Sequence, residues 1–142
     1  MQGLLSNELL SKSNLFGIIT SLSLIAGDNI FAQSNTLVTT VTYTYTKFKE
    51  IKVNYGSSVR VKFDLSTADI SSNAIAKIYV NDIAVGIERS TNSTSYITYS
   101  EDIEIKGGDY IQIYMKTSNG YSAQLKNFGL YCKELAQAQV IQ

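Results

Sequence analysis

A chain of 142 residues with 12 basic and 12 acidic side chains carries no net charge, so it has no basic field to steer nucleic acid. Histidine is absent, which excludes nucleophile–histidine catalysis and removes the commonest metal ligand and neutral-pH base. The single cysteine, Cys132, excludes an internal disulfide framework, and a one-domain chain of this size buries about 70% of its unfolded surface without such staples.

Residues 1–33 differ from the rest. Leu15, Ile18, Leu22 and Ile25 fall at i, i+3, i+7 and i+10, a helical stripe that Phe16 and Ile19 widen. Ser13 or Asn14 can cap its start, and Gly27 with Asp28-Asn29 can end it. Three readings compete. In the first it is a secretory signal peptide, with Lys12 ahead of an apolar core and Ile30-Phe31-Ala32 as the cleavage site; Glu8 and the long leading stretch oppose this. In the second it contacts a membrane, but Leu15 to Ala26 as a helix covers about 18 Å. A bilayer core is about 30 Å thick. In the third, favoured reading the arm is an oligomerisation or docking helix, since a narrow apolar stripe must be buried against something. A helix folded back on its own domain belongs with this third reading.

Gln33-Ser34-Asn35 is a polar joint, so the expected division is an arm over 1–33, a β-domain over 34–133 and a short tail over 134–142. The β-domain opens on TLVTTVTYTY, in which Thr40, Thr42, Thr44 and Thr46 share one face and Val41, Tyr43 and Tyr45 the other. KFKEIKV over 47–53 follows, with an irregularity at Glu50. SVRVKFDL has the sharpest alternation in the chain: Val59, Val61, Phe63 and Leu65 point inward, and Arg60, Lys62 and Asp64 outward. Ser66 to Asn73 is a polar loop.

Ala74 to Tyr131 is a run of hairpins. Asn81-Asp82 separates two β-rich runs, and both residue types tolerate positive φ, so a two-residue turn is predicted there. Gly107-Gly108-Asp109 and Ser118-Asn119-Gly120 mark later turns. About eight strands result, over 36–45, 47–54, 58–65, 75–80, 83–88, 95–105, 110–116 and 121–131, at the spacing of an all-β, antiparallel two-sheet sandwich of jelly-roll type.

Little here supports catalysis. Glu101 and Asp102 fall on opposite faces of a regular strand, which makes them a poor acid–base pair and a better solvated face. Asp64, Asp69, Asp82 and Asp109 flank loops or turns without calcium-loop spacing. Gly107-Gly108 precedes no helix, so it is no phosphate cradle. Asn92-Ser93-Thr94 fits a glycosylation acceptor, a pattern common by chance. Cys132 reads as a small apolar residue at a strand end. No enzyme activity, cofactor, metal or nucleic-acid partner is expected.

AKIYVNDIAVGIERS, YITYSEDIEIKGGDYIQIYMK and KNFGLY resemble a β-sandwich domain of structural proteins of bacterial and archaeal viruses. The matching positions are Ile78-Tyr79, Val85-Gly86 with Glu88-Arg89, Ser100 to Ile103, Gly108-Asp109, and Asn127-Phe128 with Leu130-Tyr131. KFKEIKV and SVRVKFDLST look like that family's leading strands, and the arm lies outside the match. The resemblance implies a homo-oligomeric virion subunit of tail, spike or decoration type, partnered by other virion proteins and attached to a host surface. Its docking residues would be Leu15, Phe16, Ile18, Ile19, Leu22 and Ile25. The alternative is a secreted or cell-surface carbohydrate-binding sandwich, cleaved near Ala32, with a glycan groove lined by some of Tyr96, Tyr99, Tyr110, Tyr114 and Tyr121. Tyr96, Tyr99 and Tyr121 are the expected ligand-facing aromatics under either reading.

Overall fold

A computed structural model describes the backbone of residues 18–19, 22–137 and 140–141, and the side chains of residues 23–133. In chain order the strands are β1 (Ile18–Ile19), β2 (Leu22–Ser34), β3 (Val38–Thr40), β4 (Thr46–Lys52), β5 (Gly56–Thr67) and β6 (Ala74–Val80). Then come β7 (Ile83–Ala84), β8 (Arg89–Thr91), β9 (Ile97–Ile105), β10 (Tyr110–Thr117), β11 (Ala123–Gln137) and β12 (Val140–Ile141). One sheet has the order β3-β11-β2-β5-β9, with β11 also pairing β5. The other runs β4-β10-β6-β7, with β8 on β6. The all-β two-sheet sandwich is therefore as expected.

The core lies between the sheets and follows the period-2 pattern. Val59, Val61, Phe63 and Leu65 of β5 meet Leu125, Phe128 and Leu130 of β11 within one layer. Ala74, Ala76 and Ile78 of β6, with Ile111, Ile113 and Met115 of β10, supply the facing layer. A bulge in β11 lets Leu125 and Phe128, three residues apart, both point inward. Asn127 takes the left-handed conformation there (φ 56°) and donates its amide to Asp64. The Asn81-Asp82 turn forms as the residue types require, with both φ positive and Val80 opposite Ile83.

The helical arm is corrected where it is described. Leu22–Ser34 is a strand that pairs with β11 from Phe128 to Gln137, and with β5 in parallel at Ser23 and Leu24. Local apolar spacing matched a helix, but pairing with a distant strand satisfies the same backbone and buries Leu24. Ile18 and Ile19 lie in β1, which pairs with β12, Leu22 begins β2, and Ile25 sits 42% exposed on β2. Leu15 and Phe16 lie outside the described residues. The boundary at residue 33 falls inside this sheet, and β11 extends into the tail. The β2–β5 pairing also makes the sandwich mixed rather than wholly antiparallel.

Two further differences concern turns. Residues 41–45 break the expected 36–45 strand, because Thr42 accepts a backbone bond from Thr117 and the Thr40 and Thr44 groups bond locally to Thr42. The expected strand 83–88 ends at Ala84. Val85 and Gly86 both donate to the Ile78 carbonyl, and Ile87 N–H donates to the Glu101 carboxylate. This segment and Arg89 cover the outer edge of β9.

Candidate functional site

The outward face of the β4-β10-β6 sheet carries a connected group of aromatic and hydrogen-bonding side chains. Strand alternation turns Gln112, Tyr114 and Lys116 of β10 away from the core, and β6 presents Lys77 and Tyr79 on the same side. In register, Gln112 sits between Glu50 and Tyr79, and Tyr114 between Lys47 and Lys77. A shift in the β4–β10 register accommodates one extra residue, Phe48, and brings Lys47 beside Tyr114.

Tyr79 and Tyr114 are diagonal neighbours, and their rings stack at 3.7 Å between centroids and 14° between planes. Tyr45 approaches Tyr79 edge-on, at 6.2 Å and 61°. The Tyr45 hydroxyl donates to Glu88 at 2.6 Å, and the Lys116 ammonium lies 4.6 Å from the Tyr45 ring centre. All three rings are half-buried. They form a contiguous aromatic ridge on the outward sheet face.

Beside the ridge is a polar network built on Gln112, which is only 1% exposed. Its Nε2 donates to Glu50 and to Asp82, each at 2.8 Å, and its Oε1 accepts the Asp82 backbone N–H at 2.8 Å. Tyr114 donates to the same Asp82 oxygen at 3.1 Å. Lys47 lies 3.4 Å from Glu50 and 3.9 Å from Asp82. The Gln112 amide, then the Tyr114 hydroxyl and Lys47, hold the Asp82 carboxyl below its ordinary range. Burial, with Asp82 beside it, pushes the Tyr114 phenol up. Burial and the Glu88 bond raise Tyr45 likewise. The Asp82 carboxylate is thus a charged acceptor at neutral pH, and the Tyr45 and Tyr114 phenols are neutral donors.

The aromatics singled out from sequence are not gathered here. Tyr99 turns inward at the sandwich edge, with its ring 5.8 Å from Phe63, its hydroxyl donating to Ser90 and the Arg89 guanidinium 5.6 Å over its face. Tyr96 lies under Lys126, 4.2 Å away, and Tyr121 is 47% exposed in the loop after β10. No ring contact joins these three among the described residues. Tyr110, from the alternative groove, sits beside Lys52 rather than on the ridge. Tyr114 does belong to the ridge. Tyr45 and Tyr79 were missed, because their convergence depends on strand register; the alternation that turns Tyr79 and Tyr114 outward was visible in sequence.

Glu101 and Asp102 do face opposite ways. Glu101 accepts Ile87 N–H and lies 3.6 Å from Arg89, whereas Asp102 binds Arg60 at 2.8 Å. Cys132 is buried, and burial pushes its thiol up, away from thiolate chemistry. No group of three or more metal-ligating side chains occurs among the described residues.

The fold and the ridge define a β-sandwich with a tyrosine-bearing outward face. No family model and no curated protein matches the chain. Among solved structures it is similar to the C-terminal domain of EclA, described as a sugar-binding protein: 11% identity, 74% of this chain and 79% of that one, TM-score 0.49. It is similar to a family 35 carbohydrate-binding module from an environmental isolate, at 13% identity over 82% of this chain and 96% of that one, TM-score 0.49. A third is CBM35 from Paenibacillus barcinonensis, at 12% identity over 82% and 92% respectively, TM-score 0.49. These likenesses concern the fold. The virion role implied by the sequence resemblance, with its tail and host-attachment assignments, is not upheld: no family model or curated protein matches, and the solved structures named are described as sugar-binding or carbohydrate-binding, none as a virion protein. The resembling motifs are turn formers and core positions, such as Asn81-Asp82 and Phe128, which any sandwich of this kind needs.

Proposed function

We propose that the chain is a non-catalytic carbohydrate-binding β-sandwich whose ligand lies on the outward face of the β4-β10-β6 sheet. The observation that carries this reading is the Tyr45–Tyr79–Tyr114 ridge flanked by Gln112, Asp82 and Glu50. Aromatic rings give apolar contact to the C–H faces of a sugar. Fixed carboxylates, amides and phenols at their margin exchange hydrogen bonds with its hydroxyls. Likeness of fold does not carry the reading; the ridge does. The ridge spans side chains of neighbouring strands, which suits a stretch of polysaccharide chain. Glycans of that kind are met outside the cell, so a secreted or cell-surface location goes with the reading.

The test is retardation of the full chain in gels containing each of a panel of polysaccharides. Tyr79→Ala and Tyr114→Ala are expected to abolish retardation while thermal melting still shows a cooperative fold. Absence of binding to every glycan, or unchanged binding by both alanine variants, overturns the proposal.

A further inference from the structure

The donors and acceptors of this face do not balance. Each carboxylate on it already has donors from the protein: Glu50 has Gln112 and Lys47, Asp82 has Gln112 and Tyr114, and Glu88 has Tyr45. Lys47 is likewise engaged, with Glu50 and Asp82. Lys52, at the far edge of β4, lies 5.6 Å from the Tyr110 ring and away from the ridge, and the two lysines beside the ridge are not paired with acids. Lys116 meets only the Tyr45 ring, and Lys77 meets no hydrogen-bond acceptor or carboxylate among the described residues. Both side chains are on the outward face. They are diagonal neighbours: Lys77 sits opposite Tyr114, and Lys116, two residues on, sits opposite Ile75. Glu88 is the acid on this side of the ridge, and its carboxylate accepts the Tyr45 hydroxyl.

We infer that the ligand of the tyrosine ridge is an anionic glycan, whose carboxylate or sulfate groups are met by the Lys77 and Lys116 ammoniums. This rests on the glycan-binding reading and deepens it. An ammonium offers three donors and accepts nothing, so a pair of lysines without oxygen partners is complementary to an anionic group. The two lysines stand next to the stacked rings, so a sugar on Tyr114 and Tyr79 brings its acidic substituent within their reach. The acid-rich half, where Glu50 and Asp82 are held, is left to take sugar hydroxyls.

The experiment is calorimetric titration of the full chain with dextran, polygalacturonate and dextran sulfate at low and at physiological salt. Binding to one polyanion is expected to exceed binding to dextran and to weaken with salt. The Lys77→Gln/Lys116→Gln double variant should lose about tenfold in affinity for the polyanion, the scale of two partly exposed charge contacts. Lys126→Gln, on the other sheet, should bind as the parent does. Preference between polygalacturonate and dextran sulfate distinguishes carboxylate from sulfate as the group recognised. An equal loss in Lys126→Gln would mean unspecific attraction to polyanions and overturn the inference. So would equal binding of dextran and both polyanions; in that case the glycan-binding reading stands if Tyr79→Ala abolishes binding. Failure to bind any glycan removes both.

Discussion

Gln112 holds Asp82 from two sides: its Nε2 donates to the carboxylate and its Oε1 accepts the Asp82 backbone N–H, each at 2.8 Å. The side chain thereby locks the tip of the β6–β7 turn over the centre of the sheet. Gln112→Leu keeps the approximate volume but leaves Asp82 and Glu50 without that donor. It is expected to lower stability in urea unfolding by removing the three hydrogen bonds of the buried amide, while the two carboxylates stay open to water. A change below about 0.5 kcal/mol, the noise of surface substitutions, would show the lock to be idle.

The ridge predicts a contrast among tyrosines. Tyr79→Ala should weaken glycan binding by tenfold or more, roughly the loss of one aromatic contact. Tyr79→Phe should retain most of it, because the Tyr79 ring supplies the stacking. Tyr121→Ala should leave both binding and melting temperature unchanged, since Tyr121 stands in a loop away from the stacked pair. Equal losses at Tyr79 and Tyr121 in the same assay would place the ligand elsewhere.

Acid stability should report the ion pairs on the other sheet. Hydrogen bonds from Lys62 and Arg60 hold the Asp28 carboxyl below its ordinary range, and Arg60 does the same for Asp102. Both groups therefore bind protons more weakly when folded than when unfolded. The stability they contribute is present above about pH 4, the unfolded aspartate range, and is lost as pH falls through the lower folded values. Arg60→Ala should flatten this acid limb. Melting temperatures of the parent and variant, followed from pH 7 to 2, should converge; a constant gap would contradict the assignment.

Lys49 points into the sandwich, 7% exposed, and donates to Ser34 Oγ at 2.9 Å and to the Thr36 carbonyl at 2.6 Å. It has no ion pair among the described residues. Burial lowers its pKa, so the unfolded chain binds the proton more tightly. The cost of burying that charge is felt at neutral pH and relieved as pH rises towards the unfolded lysine value. Lys49→Met should therefore raise stability at pH 7 by about 1 kcal/mol, as apolar replacement of a buried charge often does. The advantage should shrink by pH 10. Hydrogen exchange at residues 34–36 should quicken in the variant, because the tether is gone; loss of stability at pH 7 would show that the two hydrogen bonds outweigh desolvation.

Much of the sandwich is legible in the sequence. Val59, Val61, Phe63 and Leu65 had to share one face of an extended chain, and they do. Asn81-Asp82 had to turn, because few other pairs accept two successive positive φ values. The opposed directions of Glu101 and Asp102 follow from the same period of two. These are local consequences of backbone stereochemistry and side-chain alternation, so the sequence by itself determined them.

The tertiary structure alone decided the state of residues 22–33 and the composition of the site. A stripe containing Leu22 and Ile25 satisfies a helix locally; only the partner strand from Phe128 to Gln137, about a hundred residues away, makes it β. The tyrosine ridge is likewise nonlocal. Tyr45, Tyr79 and Tyr114 come from three separate segments, and a slip of one residue in the β6–β10 register would turn one of the stacked rings into the core. Alternation tells which residues leave a strand on the same side, but which strands lie side by side, and at what offset, is set by how the two sheets close over their shared core.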